Sequence, residues 1–305
     1  MKIISLLHQA SKALVIAGIC LFFTASSPAQ KLALNPIADP HDPLREYVKI
    51  ASTITNEPAT AVTAADPYYI LREYMKIEPG MEADYLKTEA IWKKVHQRRK
   101  TEGKIVDWVL YRRLFPSGSN TAYSYMTITV FKSGKELEEA TNMTWDYIIK
   151  GMSAEDLVIG NNTEKTRSLV SRSLDQQIER VQPGATGRFV KLTQVKVVAG
   201  QGAELKKHEK MMEAVFIEAV KMGKIAGWRF GAHIYPNDAN TGGFYRAINT
   251  NTLEEMLNNE SNGYLEAAFK KVYPTKDFTA TMKMIRETIS SMPLEEIWER
   301  VDKVE

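Results

Sequence analysis

The sequence predicts an α+β protein in which one module of about 120 residues is written twice in tandem. Three observations predict it: residue matches at a constant offset, a fixed order of hydrophobic periods within each copy, and turn-forming residues at the same places in both.

The matches come first. Gly103-Lys104-Ile105-Val106-Asp107-Trp108 recurs as Gly223-Lys224-Ile225-Ala226-Gly227-Trp228. Pro116, Asn120, Thr121, Tyr125 and Ile128 recur as Pro236, Asn240, Thr241, Tyr245 and Ile248, all at an offset of 120. Lys76, Gly80, Ala83, Lys87, Glu89 and Val95 return as Lys196, Gly200, Ala203, Lys207, Glu209 and Val215, and Glu179-Arg180-Val181 returns as Glu299-Arg300-Val301. The copies therefore span 68–181 and 188–301, joined by the turn-rich stretch 182–187.

Within each copy, residues 69–77 and 189–197 alternate and read as a first strand. A helix follows at 82–101 and 203–222, with Leu205, His208, Met212, Val215, Ala219 and Met222 spaced by threes and fours. Gly80 and Gly200 supply the backbone freedom that a tight strand-to-helix connection needs. Two strands come next, 105–115 with 121–131 and 225–235 with 243–250, each pair joined by Pro-, Ser-, Asn- or Asp-rich turns. A second helical region at 134–150 and 252–272 leads to a short apolar stretch near 167–173 and 286–292, and then to an expected closing helix.

This β-α-β-β-α-β order with a helical tail is the ferredoxin-like arrangement. On that order, on the Gly-Lys-Ile-x-x-Trp segment and on the Asn-Thr-x-x-x-Tyr that follows it, the chain resembles the dimeric α+β barrel superfamily, including antibiotic-biosynthesis monooxygenases and stress-responsive barrel domains. The resemblance implies two modules closing face to face as an intramolecular pseudo-dimer, a monomer that needs no second chain to cover its sheets. The long segments 141–166 and 261–285 depart from a minimal module.

Residues 1–29 read as a secretory signal: Lys2 and Lys12 precede the apolar run 13–23, and Ser27 and Ala29 precede a cut before Gln30. That run of 11 residues falls short of the roughly 20 that a membrane-crossing helix needs. The expectation is export to the periplasm or outside the cell. The single cysteine, Cys20, lies inside the signal, so the remaining 276 residues (305 − 29) would hold no disulfide, no thiol nucleophile and no cysteine-rich zinc site. Removing Lys2 and Lys12 takes the net charge from +3 to +1, with both signs interspersed, which argues against nucleic acid or a membrane surface as partner. The leader 30–67 reads as irregular except at 44–50, where Leu-Arg-Glu-Tyr-Val-Lys-Ile nearly repeats 71–77 and is expected to pair along an exposed sheet edge.

Alternation in the central strands separates two faces. Trp108, Leu110, Arg112 and Leu114, matched by Trp228, Phe230, Ala232 and Ile234, lie under the helices. Val109, Tyr111, Arg113 and Phe115, matched by Arg229, Gly231, His233 and Tyr235, look inward. Neighbouring strands add Arg72, Tyr74, Lys76, Tyr123 and Tyr125 in the first copy, and Gln194, Lys196, Tyr245 and Asn249 in the second. Such a face suits a small anionic or phenolic molecule, and Arg113, Tyr111, Tyr125, Arg229, Tyr235 and Tyr245 are the candidate ligand-binding residues. Equally, these groups can satisfy one another across a packed interface.

His233 is the candidate catalytic residue, a general base whose counterpart in the first copy is Arg113. His208 falls in a helical stripe opposite Thr88, and His96 and His41 have no partner at ligand spacing, so no metal and no cofactor is expected. Three function classes stay open: an exported binding protein, a cofactor-independent oxygenase or isomerase, and an interaction protein with a filled barrel. Cavity volume between the sheets separates them.

Overall fold

The computed structural model describes residues 68–115, 122–181, 187–236, 243–258 and 263–305. The signal, the leader with its 44–50 repeat, and most of the interstrand turns and the linker lie outside them. The first half runs β1 (Tyr69–Ile77), α1 (Glu82–Thr101), β2 (Asp107–Leu114), β3 (Tyr125–Phe131), α2 (Gly134–Thr141), α3 (Trp145–Ile149), α4 (Ala154–Gly160), α5 (Thr163–Thr166) and β4 (Arg167–Val181). The second runs β5 (Phe189–Val197), α6 (Gly202–Lys221), β6 (Gly227–Tyr235), β7 (Phe244–Thr250), α7 (Leu253–Asn258), α8 (Tyr264–Val272), α9 (Phe278–Glu287) and β8 (Ile289–Lys303). The fold is α+β, with eight antiparallel strands closed into one barrel in the order β1-β3-β2-β8-β5-β7-β6-β4.

Local chemistry starts and stops these elements. Gly80 and Gly200, at φ 78° and 81°, make the turns into α1 and α6 in the left-handed region that glycine alone enters freely. Ser133 caps α2 by accepting from the Glu136 N–H, while the Glu136 carboxylate accepts from the Lys132 N–H. Ser153 and Asp156 form the reciprocal capping box of α4.

The expected closing helices are corrected: 174–181 and 293–303 continue strands β4 and β8, each 15 residues long. Their Glu, Gln, Leu and Ile content favours helix by a few tenths of a kcal/mol per residue. That preference loses because each of these strands hydrogen-bonds on both sides, β4 to β1 and β6, and β8 to β5 and β2. Pro293 is tolerated because the β5 pairing breaks register there, between the pairs Gln194–Leu294 and Lys196–Ser291. Each closing strand thus joins its own half to the other, and among the described residues no strand of the barrel has a free edge.

Three apolar clusters result. Trp108, Leu110 and Phe131 pack with Tyr85 beneath α1, and Trp228 and Phe230 pack with Met212, Val215 and Phe216 beneath α6. The third cluster lies inside the barrel, with Ile70, Tyr74, Val109, Tyr111, Met126, Leu192, Tyr245 and Trp298.

Strand pairing also fixes which residues correspond. Val195 pairs with Phe244 as Met75 pairs with Tyr125, so the offset is 120 in the first strands (195 − 75) but 119 in the third (244 − 125). His233 faces Asp175 as Arg113 faces Trp298, so the closing strands are offset by 123 (298 − 175). The sequence match of Val181 with Val301 is therefore not the spatial one. Val181 and Val304 (181 + 123) are both buried, at 6% and 1% exposure, whereas Val301 is 41% exposed.

Candidate functional site

The barrel is not completely filled. A cavity of about 60 Å³ lies inside it, with Tyr68, Asp107, Arg180 and Arg229 at one end and Arg72 and Tyr245 along its wall. Aliphatic side chains, among them Ile70, Val109, Ile128 and Leu192, line the space between. By size it holds roughly four to six water-sized atoms.

Arg229 comes from β6, and Arg180 sits directly opposite it on β4. The β4–β6 register shifts between Gln177 and Glu179, and this bulge re-aims the following residues. Consequently Glu179 reaches outward to Lys210, at 2.9 Å, and Arg180 lines the cavity. Arg229 Nη1 donates to the Asn249 side-chain oxygen at 3.0 Å, and among the described residues no carboxylate lies within ion-pair reach of it. Burial pulls its pKa below the usual arginine value. Arg180 stacks over the Tyr68 ring at 4.1 Å. The Tyr111 and Tyr245 phenols, pushed up by burial against the opposing pull of nearby arginines, stay protonated at neutral pH.

Tyr245 reaches its place because its cross-strand partner is Gly231. A Cβ on Gly231 would run into the Tyr245 ring and the Gln176 backbone oxygen. The ring lies across the bare backbone, and the Arg72 guanidinium stacks on it at 4.3 Å.

Arg72 also pairs with Asp175, which is fully buried on β4. The other Asp175 oxygen lies 2.6 Å from His233 Nδ1. A buried line Tyr245–Arg72–Asp175–His233 thus runs from the cavity wall to the end of β6. His233 itself is not part of the cavity wall.

The remaining candidates are dispersed. Arg113 pairs with the buried Glu296 at 3.0 Å and stacks over Tyr123, while Tyr123 donates to Glu296 at 2.8 Å. Burial raises the Glu296 pKa. Tyr125 departs from the expected inner face: it packs beneath α1, 4.9 Å from Tyr85, and donates to Glu82 at 2.5 Å. The one-residue difference in offset turns it away while Tyr245 turns in. Phe115 is 65% exposed at φ 52°, and Tyr235 packs half-buried against the first-half core. His208 is half-buried on α6, and half-buried His96 stacks on Trp108 at 5.1 Å.

Sequence reading brought Arg229, Tyr111 and Tyr245 to one place and missed Arg180, Asp175 and Glu296. All three missed residues lie on the closing strands. The available signal was the run 167–181, which contains no Gly, Pro or Asn to end the strand.

No protein-family model and no curated protein matches the chain. Among solved structures, a proposed monooxygenase from Lactobacillus acidophilus superposes with a TM-score of 0.45 at 14% identity, over 78% of this chain and 96% of its own. A mutant chlorite dismutase from Candidatus Nitrospira defluvii gives 0.45 at 9% identity, over 79% and 93%. An anthrone oxidase-like protein gives 0.39 at 12%, over 78% and 92%. Likeness at this level says nothing of activity, and the fold stands on the strand pairing above. Among the described residues no helix is long and apolar enough to cross a membrane.

Proposed function

We propose that this chain is an exported small-molecule-binding protein, built from two fused ferredoxin-like modules, whose ligand sits inside the barrel against Arg229, Tyr111 and Tyr245. The observation that carries the reading is the cavity wall itself: Arg229 lines it with a neutral amide as its hydrogen-bond partner and no carboxylate partner among the described residues. Burying a guanidinium that makes no ion pair among the described residues is costly, and a ligand anion offsets that cost. No reaction is assigned, because the His233–Asp175 pair stands outside the cavity wall.

The test is a thermal-shift screen of small aliphatic, aromatic and neutral compounds against the protein and an Ala247→Met variant. Ala247 is 5% exposed and lines the cavity, so the longer side chain occupies the ligand's space. Ligands at a hundred times their Kd stabilise by about 2.7 kcal/mol. Stabilisation lost in the variant supports the reading, and a screen in which no compound stabilises the protein overturns it.

A further inference from the structure

Arg180 and Arg229 face each other across β4 and β6, and both line the same end of the cavity. Like charges placed directly opposite in a sheet repel. Neither makes an ion pair with a carboxylate among the described residues. Asp107, at the same end, accepts from the Trp108 N–H at 3.1 Å and from Lys100 at 3.5 Å through one oxygen. By contrast Arg72, farther along the wall, is neutralised by Asp175. The cavity is therefore cationic at one end and aliphatic beyond it.

We propose that the ligand is a short-chain aliphatic carboxylate, its head held between Arg180 and Arg229 and its carbon chain lying along Val109, Ile128 and Leu192. This rests on the reading that the barrel interior binds a small molecule, and deepens it to a chemical class and an orientation. Guanidinium forks match a carboxylate's two oxygens, and two arginines facing each other can each donate to the same carboxylate head. A volume of about 60 Å³ limits the guest to roughly four to six non-hydrogen atoms, the size of propionate or butyrate. The bulge at Gln177 to Glu179 is what makes the second half of the clamp, since it brings Arg180 inward.

Calorimetric titration of the full chain at low ionic strength with butyrate, butanamide and inorganic phosphate tests this. Each titration is repeated on Arg180→Gln and Arg229→Gln, with the unliganded thermal midpoint of every variant recorded. Butyrate is expected to bind about tenfold or more tightly than the isosteric neutral amide, and each substitution to weaken butyrate by a similar factor. Because the substitutions relieve repulsion, unliganded midpoints should hold or rise, which a purely structural role for either arginine would not give. Arg180→Lys, which keeps the charge and loses the fork, should fall between. Butanamide binding as well as butyrate, phosphate doing so, or butyrate affinity surviving both substitutions would overturn the clamp. If butyrate fails while another screened compound binds in an Ala247→Met-sensitive way, the clamp falls and the binding reading survives. If nothing binds, both fall.

Discussion

Asp175 and His233 are direct cross-strand partners in the barrel wall, with a carboxylate oxygen 2.6 Å from the ring Nδ1. The same carboxylate is the counter-ion of buried Arg72, which is 4% exposed. Removing the charge at position 175 strands an arginine in the interior. Asp175→Asn should therefore cost about 3–5 kcal/mol, the range for breaking one side of a buried ion pair. Urea unfolding measures it, and a loss below about 1 kcal/mol would show that Arg72 finds another partner.

Gly231 and Tyr245 set the shape of the cavity wall. Gly231→Ala places a methyl where the Tyr245 ring lies, so the ring must swing toward the cavity. Expected are a loss of about 1–3 kcal/mol and a changed near-ultraviolet dichroism signal. An unchanged spectrum with unchanged stability would mean that the ring is not held there.

Glu299 ties the halves together through Arg112 on β2, at 2.6 Å, and Arg188 just before β5, at 2.5 Å. The hydrogen bond from Arg112 is the main cause holding its pKa below the usual 4.5, with Arg188 assisting. A depressed folded-state pKa gives stability that is present above 4.5 and lost as pH falls through the folded value. Glu299→Gln should thus be less stable than the parent at neutral pH, and the gap should close on acidification below 4.5. Urea midpoints across that range test the sign; a gap that widens on acidification contradicts it.

Arg99, on α1, is 2% exposed and its neighbour within hydrogen-bond reach is the His96 ring, at 3.1 Å. Burial lowers its pKa to about 10, and its Nε and Nη2 have no hydrogen-bond partner among the described residues. Arg99→Met keeps the packing and removes the charge, so stability should rise by roughly 1 kcal/mol or more. A clear loss in urea unfolding would show that the guanidinium is satisfied by groups outside the described residues.

The sequence by itself determined the order of the elements from β1 to β3 and from β5 to β7, because periods of two and of 3.6 residues and the Gly80 and Gly200 turns are local properties. It also determined which face of β2 and β6 lies under the helices, since Trp108 and Leu110, like Trp228 and Phe230, recur at a spacing of two on one face. Tertiary structure decided the rest. Whether 174–181 is helix or strand depended on two strands from different halves offering hydrogen bonds on both sides, and no local pattern encodes that. Which residues share the site depended on register: a one-residue difference in β3 and β7 turned Tyr125 out and Tyr245 in, and one bulge in β4 turned Arg180 in to face Arg229. Side chains alternate with a period of two, so a single inserted residue that barely alters the sequence pattern exchanges the two faces of a strand.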